Sequence, residues 1–381
     1  MKIGYDYDMH AYPTKGGNHR HAFELINGFC ERGHVVKVFD DPTMPKVINY
    51  EKSDLDGFLS DIDILYIRID GRAVRGHTSC ELVMKACPSS VPIVWEINAP
   101  ANESLAFSWL GGKTGSGEES GWKRFKRFLH ASKKMPAIFF EERVRKQLAP
   151  KVDAAICVSS ALVNYAKNGL GIAHSICMPN GGPLIPREEI DDRRKSKVNE
   201  QFTVFYSGSA IYPWQGLDLL VSVARLAQEQ QLPIRFVLAV NQAAELDYPP
   251  NLIILEGLNR DQILNEICTS DICVSIHPEY PWSKWGFHNS PMKLFEYMAC
   301  GTASLVSDHG QMNDLIADGK NGYLTSNEPS AILEKIIQIK SSGDERFRVG
   351  DAGYDLIQSQ MNWLAVVDKT LMAFSEAIAT K

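Results

Sequence analysis

Apolar residues follow two rhythms along this chain. Short dense runs such as ILYIRI (64–69), VPIVWEI (91–97), FTVFYSG (202–208) and IRFVLAV (234–240) predict strands covered on both faces. Stretches with apolar residues three and four apart, such as 18–32 and 217–230, predict helices with one covered face. The two kinds alternate. Lys2–Tyr5 predicts a first strand, and the loop after it ends at Gly16 and Gly17. Ala22, Phe23, Leu25, Ile26 and Phe29 then mark a helix, Gly33 stops it, and HVVKVF (34–39) forms the second strand. That is the opening unit of a doubly wound parallel sheet. VDAAICVSS (152–160) predicts a buried strand running into a serine-capped helix. The alternation restarts with strands at 202–208, 234–240, 251–257 and 271–277. Between the two series, 183–201 is charged and broken by prolines without an apolar period, and reads as a linker. The expected organisation is two α/β domains with doubly wound sheets over 1–183 and 201–358, a linker at 184–200, and an amphipathic helix at 359–381.

GFHNSPMKLFEYMACG (286–301) holds the densest helix signal. Ser290 can cap, Pro291 fits the first helical position, and Gly301 can end the helix. Met292, Leu294, Phe295, Met298 and Ala299 form an apolar face that Lys293 and Glu296 interrupt. Lys293 falls in the first turn, where free N–H groups and the helix dipole attract anions, and Glu296 follows one turn deeper. A cation at a helix start with a carboxylate behind it suits a nucleotide-sugar, the first meeting the diphosphate and the second accepting from ribose hydroxyls. The same two residues also suit an ordinary amphipathic helix with its charges in water.

Other positions also carry candidate chemistry. Gly16 and Gly17 let backbone N–H groups approach an anion, although they equally fit a plain turn, and the spacing is not GxGxxG. Asp61 and Asp63 form a DxD triplet like that of metal-dependent glycosyl transfer, but they open a strand, whereas ligands of parallel sheets gather at carboxyl ends. Arg68, near the other end of that strand, is the better site residue. Asp6 and Asp8 also follow a strand and read as part of a solvated loop. Asn98 and Pro100 shape the loop after 91–97.

Composition narrows the class. A chain of 381 residues with 44% apolar content can fill two cores, and no run approaches the ~20 apolar residues of a membrane span. The sequence opens directly on a strand pattern, so no signal peptide is expected. Eight scattered cysteines without a CxxC pair read as reduced thiols of a cytoplasmic protein. A net charge of −6 argues against nucleic acid as a partner. One stretch runs the other way. Trp122 to Lys146 carries nine Lys or Arg against two acids, with Trp122, Phe125, Phe128 and Leu129 on one helical face. Such a helix suits an anionic membrane surface, or packs its aromatics on a sheet and leaves its charges in water. Gly111–Ser120 before it reads as a mobile loop.

Taken together, GGNHRHAFELINGFCERGHVVKVF (16–39), WEINAPANE (95–103), DAAICVSSAL (153–162), MPNGG (178–182), GSAIYPWQGLDLL (208–220) and GFHNSPMKLFEYMACG resemble the family 4 retaining glycosyltransferases with the GT-B fold, the glycosyl transferases group 1. TASLVSDHG (302–310) and DLIADGKNGYL (314–324) extend the likeness. The resemblance implies two facing doubly wound domains, donor in the second and acceptor against the first, with the last helix crossing back to the first. It implies transfer of a sugar from a nucleotide-sugar to a hydroxyl with retained configuration, with no cofactor and no metal. Lys293, Glu296 and Glu103 are the expected catalytic set, Glu103 matching a carboxylate of the acceptor pocket. Donor contacts are expected from Gly208, Ser209 and Gln215, from the nucleobase loop at Gly257 and Leu258, and from His288, Asn289, Ser290 and Pro291. Acceptor contacts are expected from Gly16, Gly17, Arg68, Asn98 and Glu103. Three positions depart from the family. Ser209 and Gln215 stand where Arg and Lys are usual, and His288 stands where the first Glu is usual, so Lys293 and backbone amides are expected to carry the phosphates. The implied acceptor is a saccharide or a lipid-linked one in surface polysaccharide or glycolipid synthesis, met by a cytoplasmic protein peripheral to the inner face of the membrane. A catalytically silent nucleotide-sugar-binding protein and a nucleotide-sugar epimerase share the architecture and remain alternatives.

Overall fold

The alternation of runs and helices resolves into two parallel sheets. The computed structural model describes residues 1–7, 17–41, 43–44, 46–71, 80–109, 121–197, 201–210, 212–243 and 247–381. In the first domain β1 (Lys2–Asp6), β2 (Val35–Phe39), β3 (Ile48–Tyr50), β4 (Ile64–Ile69), β5 (Ile93–Ile97), β6 (Ala154–Cys157) and β7 (Ser175–Cys177) lie in the order β3-β2-β1-β4-β5-β6-β7. In the second, β8 (Phe202–Gly208), β9 (Ile234–Val240), β10 (Leu252–Glu256), β11 (Ile272–Ser275), β12 (Ser304–Ser307) and β13 (Tyr323–Thr325) lie in the order β10-β9-β8-β11-β12-β13. Strand order reverses beside the first strand of each domain, between β1 and β4 and between β8 and β11. At such switch points the connections leave in opposite directions and open a crevice at the carboxyl ends. The register of β4 against β5 sets Arg68 beside Glu96.

Several expectations are corrected. The stretch read as a featureless linker contains a helix, Arg187–Arg194, that buries Ile190 completely among second-domain side chains. One buried residue in two turns leaves no visible period. The Met292–Ala299 helix starts one residue late, with Pro291 as its N-cap, and the Ser290 hydroxyl instead accepts from the Asn180 N–H at 3.1 Å. Ser159 likewise makes no capping bond and donates across the domain seam to the His288 carbonyl at 2.7 Å. Asp6 is buried, not solvated. Asp8, Gly16 and Gly111–Ser120 lie outside the described residues, while Gly17 begins the helix Gly17–Glu31.

Two helices define the flanks. Gly121–Leu148 runs 28 residues, about 42 Å at 1.5 Å per residue, with Pro136 inside it. Its aromatics do not pack on the sheet: Trp122 is 63% and Phe139 71% exposed, and Phe125, Phe128, Leu129, Met135 and Phe140 are exposed as well. Trp363–Thr380, the last helix, lays Phe374 against Phe29 and Tyr66 of the first domain. It approaches Gly17–Glu31 so closely that a Cβ on Gly28 would sit 2.3 Å from a Val367 methyl. Among the described residues no helix is long and apolar enough to cross a membrane.

Candidate active site

The Met292 helix follows β11 after a long connection and carries Lys293 in its first turn. There the Lys293 ammonium donates to Gln215 Oε1 at 2.6 Å and lies 3.8 Å from the centre of the Tyr206 ring. The Tyr206 hydroxyl donates to the same Gln215 oxygen at 3.2 Å, so amide and phenol form one platform under the cation. Gly208 completes the cradle, because a Cβ there would fall 2.7 Å from Lys293 Nζ. Gly216 holds a left-handed turn (φ 67°) in which a Cβ would meet the Ile276 carbonyl oxygen at 2.2 Å. Burial holds the Lys293 ammonium well below the usual lysine range, opposed by the Glu296 charge. Among the described residues no carboxylate touches it.

Glu296 lies one turn deeper. Burial raises its carboxyl above the usual range, while Arg260, Arg20 and Lys293 pull the other way. Arg20 comes from the first helix, where it pairs with Glu24. His288 is fully buried. Its Nδ1 faces the Gly286 carbonyl at 3.3 Å and its Nε2 has no partner among the described residues. Burial pushes His288 down to about 4, so at neutral pH it offers a bare acceptor lone pair. The Asn289 side-chain oxygen is also buried without a partner. Gly257 turns left-handed (φ 65°) beside Leu258, after β10 and ahead of Arg260. Ser209 follows directly at the end of β8.

On the opposing domain, Glu96 at the end of β5 is buried and surrounded by donors. Tyr5 donates to Oε2 at 2.6 Å, and Arg68 and Asn98 donate to Oε1 at 2.8 and 2.6 Å. His21 Nε2 stands 2.9 Å from the same Oε1. Burial works to raise the Glu96 carboxyl, but the His21 and Arg68 charges outweigh it and hold it well below the carboxylate range. Arg68 and Asn98 are thus tied to a buried carboxylate, a role their position alone did not announce. Glu103 opens a short turn of helix (Glu103–Leu105), and burial, reinforced by Asp70, pushes it up to about 7. It also acts on Tyr280 of the second domain, so it faces the seam. Asp61 pairs with Lys2 and Lys37 at the amino end of β4, away from the cleft. Among the described residues no three His, Cys, Asp or Glu gather as a metal-ligand set.

Lys293, Gln215, Gly208 and Glu296 therefore gather at the first turns of the Met292 helix, with His288 and Asn289 just ahead of it beside Tyr280 and Glu103 facing Tyr280 from the first domain. Tyr206, His21 and Glu96 escaped sequence reading because each sits in an apolar run or helical face that reads as core. His277 did too; burial and then Lys293 push it down to about 3.

Residues 188–356 match the family model for glycosyl transferases group 1. An uncharacterised glycosyltransferase of Methanocaldococcus jannaschii is 23% identical over 254 residues, 63% of this chain and 62% of that one. Spore coat protein SA of Bacillus subtilis is 29% identical over 84 residues, 22% of each chain. The matched stretches thus span less than two thirds of those relatives. Among solved structures, sucrose-phosphate synthase from Thermosynechococcus elongatus superposes with a TM-score of 0.69 at 13% identity over 100% of both chains. Anabaena HepE, solved with UDP and glucose, superposes at 0.67 and 14% identity over 98% and 99%. Residues 188–356 are accordingly a glycosyl transferases group 1 domain, set in the two-sheet architecture of GT-B glycosyltransferases.

Proposed function

We propose that this protein is a retaining glycosyltransferase that moves a sugar from a nucleotide-sugar to a hydroxyl of a saccharide or lipid-linked acceptor. The observation that carries the reading is Lys293, an ammonium sunk in a cleft on an amide and an aromatic ring with no carboxylate against it. A buried cation without an anion is costly unless a ligand brings one. A diphosphate at the first turn of that helix would meet Lys293 and the free backbone N–H groups together. Glu296 would accept from ribose hydroxyls, and His288 Nε2 and Asn289 Oδ1 would each receive a sugar hydroxyl. The UDP and glucose bound in the Anabaena structure support this class of donor. As the glycosidic bond breaks, charge grows on the departing diphosphate and Lys293 stabilises it, so phosphate binding is itself catalytic and a metal is not needed. The departing phosphate then takes the acceptor's proton, as the resemblance implies. Glu103, which faces the seam and is poised near neutrality, orients that hydroxyl. The exposed aromatic and basic helix Gly121–Leu148 supports an acceptor at an anionic membrane, as surface polysaccharide or glycolipid synthesis on the cytoplasmic side would require.

Ser209, Gln215 and His288 favour a second reading, a catalytically silent nucleotide-sugar-binding protein. Calorimetry with UDP-glucose and a nucleotide-release assay with and without acceptors separate the two. We expect binding, release that requires an acceptor, and activity that survives chelator. Glu296→Ala should weaken UDP-glucose binding by ~1.5–3 kcal/mol, the scale of a lost charged hydrogen bond. Binding without turnover on any acceptor supports the silent reading, and acceptor-independent conversion of the sugar supports an epimerase.

A further inference from the structure

Near Lys293 lies a buried histidine that no donor contact requires. His277 stands two residues past the end of β11 and is 2% exposed. Its main chain is pinned from the neighbouring strands. The N–H donates to Ser307 Oγ at 2.9 Å, and the carbonyl accepts from His309 Nε2 at 2.8 Å and from Asn327 Nδ2 at 2.7 Å. From that fixed base the ring reaches the loop after β8. Nδ1 stands 2.8 Å from the Trp214 carbonyl oxygen, and Nε2 stands 2.9 Å from Ser275 Oγ. A carbonyl only accepts, so Nδ1 carries the proton, and the Ser275 hydroxyl donates to the bare Nε2. Both edges of a neutral ring are thereby satisfied. Burial and the Lys293 charge, which push His277 down to about 3, keep it neutral. Trp214 belongs to the short turn Pro213–Gln215, and Gln215 Oε1 is the atom that receives the Lys293 ammonium at 2.6 Å. The turn has no slack at its end, where a Cβ on Gly216 would strike the Ile276 carbonyl oxygen at 2.2 Å.

We propose that His277 is a positioning residue for phosphate binding, a strut whose Nδ1–H holds the Trp214 carbonyl and so keeps the Gln215 amide oxygen against the Lys293 ammonium. This deepens the donor reading and rests on Lys293 meeting the diphosphate. A lysine ammonium is a point charge on a flexible stem, so something else must fix where it waits. Here Gln215 takes one of its three N–H groups, and the Tyr206 ring centre lies 3.8 Å away. Without the strut the Trp214 carbonyl loses this donor, the turn is free to shift, and Gln215 no longer sets the ammonium in place. The diphosphate then meets a cation whose position must be fixed at the moment of binding, and affinity falls.

Variants of the full chain test this by calorimetry with UDP-glucose and by nitrogen spectra without ligand. An asparagine amide nitrogen can stand where Nδ1 does, whereas that of glutamine falls near Nε2. His277→Gln should therefore weaken UDP-glucose binding about tenfold, one hydrogen bond's worth, while His277→Asn stays within about threefold of the wild type. In a Lys293→Met background His277→Gln should cost nothing further, because the cation it positions is gone. In the ligand-free chain the imidazole spectrum should show Nδ1 protonated and Nε2 bare. The Lys293 ζ-nitrogen resonance should move in His277→Gln and return in His277→Asn. Equal losses in the two variants, the same loss in the Lys293→Met background, or an unmoved Lys293 resonance each overturns the strut. If His277→Gln does not fold, a tenfold loss in a folded His277→Asn overturns it as well. If the wild type binds no UDP-glucose while the Lys293 resonance moves and returns as expected, the donor reading fails and the strut itself stands.

Discussion

Lys293 has an amide oxygen and a ring face for partners but, among the described residues, no carboxylate in contact, so they replace only part of the hydration it loses and its burial costs free energy in the empty cleft. Lys293→Met keeps the length and removes the charge. It is expected to raise unfolding stability by ~1 kcal/mol while turnover falls ~100-fold or more, the scale of losing one transition-state charge contact. Thermal denaturation beside a turnover assay checks both, and a variant that loses stability would mean that Tyr206 and Gln215 do compensate the ammonium. Glu103 gives a pH signature. Its folded value near 7 lies above the ordinary 4.5, so the folded chain holds this proton more tightly and its contribution to stability declines as pH rises from about 4.5 to 7. The decline should amount to ~2–4 kcal/mol and vanish in Glu103→Gln, as read from denaturant unfolding at several pH values. Legibility at this scale followed exposure of the signal. Lys293 and Glu296 could be read because each breaks an apolar face just after a helix-start signature. Tyr206 could not, since a tyrosine inside FTVFYSG looks like core and only the fold brings Lys293 over its ring.

The long helix makes its own prediction. Seven large apolar side chains lie in the open along Gly121–Leu148 within an otherwise acidic protein. Each Lys or Arg near an anionic surface contributes ~1 kcal/mol, screened by salt, and the aromatics add apolar insertion. The protein is expected to float with anionic vesicles at low salt. Phe139→Ser combined with Phe140→Ser, or Lys123→Glu with Arg127→Glu, should reduce flotation while leaving thermal stability unchanged. A chain that stays soluble at low salt removes the membrane from the account. Elements were readable where burial imposes a rhythm: β4, β8 and β9 appear at the residues the apolar runs mark. They were missed where burial is slight or the element short. β3 has three mostly exposed residues, β12 and β13 have four and three, and the Arg187–Arg194 helix covers a single isoleucine.

Across the whole molecule, the last helix grips the first domain at Gly28, where no side chain fits. Gly28→Ala should cost ~1–3 kcal/mol by overpacking against Val367 and lower the melting temperature; an unchanged transition would mean that the two helices slide apart freely. The seam itself has a different character. Ser159 donates to the His288 carbonyl, Asn180 to the Ser290 carbonyl, and Gln311 to the Val158 carbonyl. All three hydrogen bonds end on main-chain oxygens, so through them each domain reads the path of its neighbour's backbone. The side chains at 288 and 158 can therefore change without unmaking these bonds, whereas the Ser290 hydroxyl and the Ser160–Asp314 pair tie the seam to particular side chains. Exchange of an entire second domain between distant relatives would therefore keep the bonds that end on main-chain oxygens and lose those that need a particular side chain, so the seam of a recombinant is expected to close more loosely and not to fail outright.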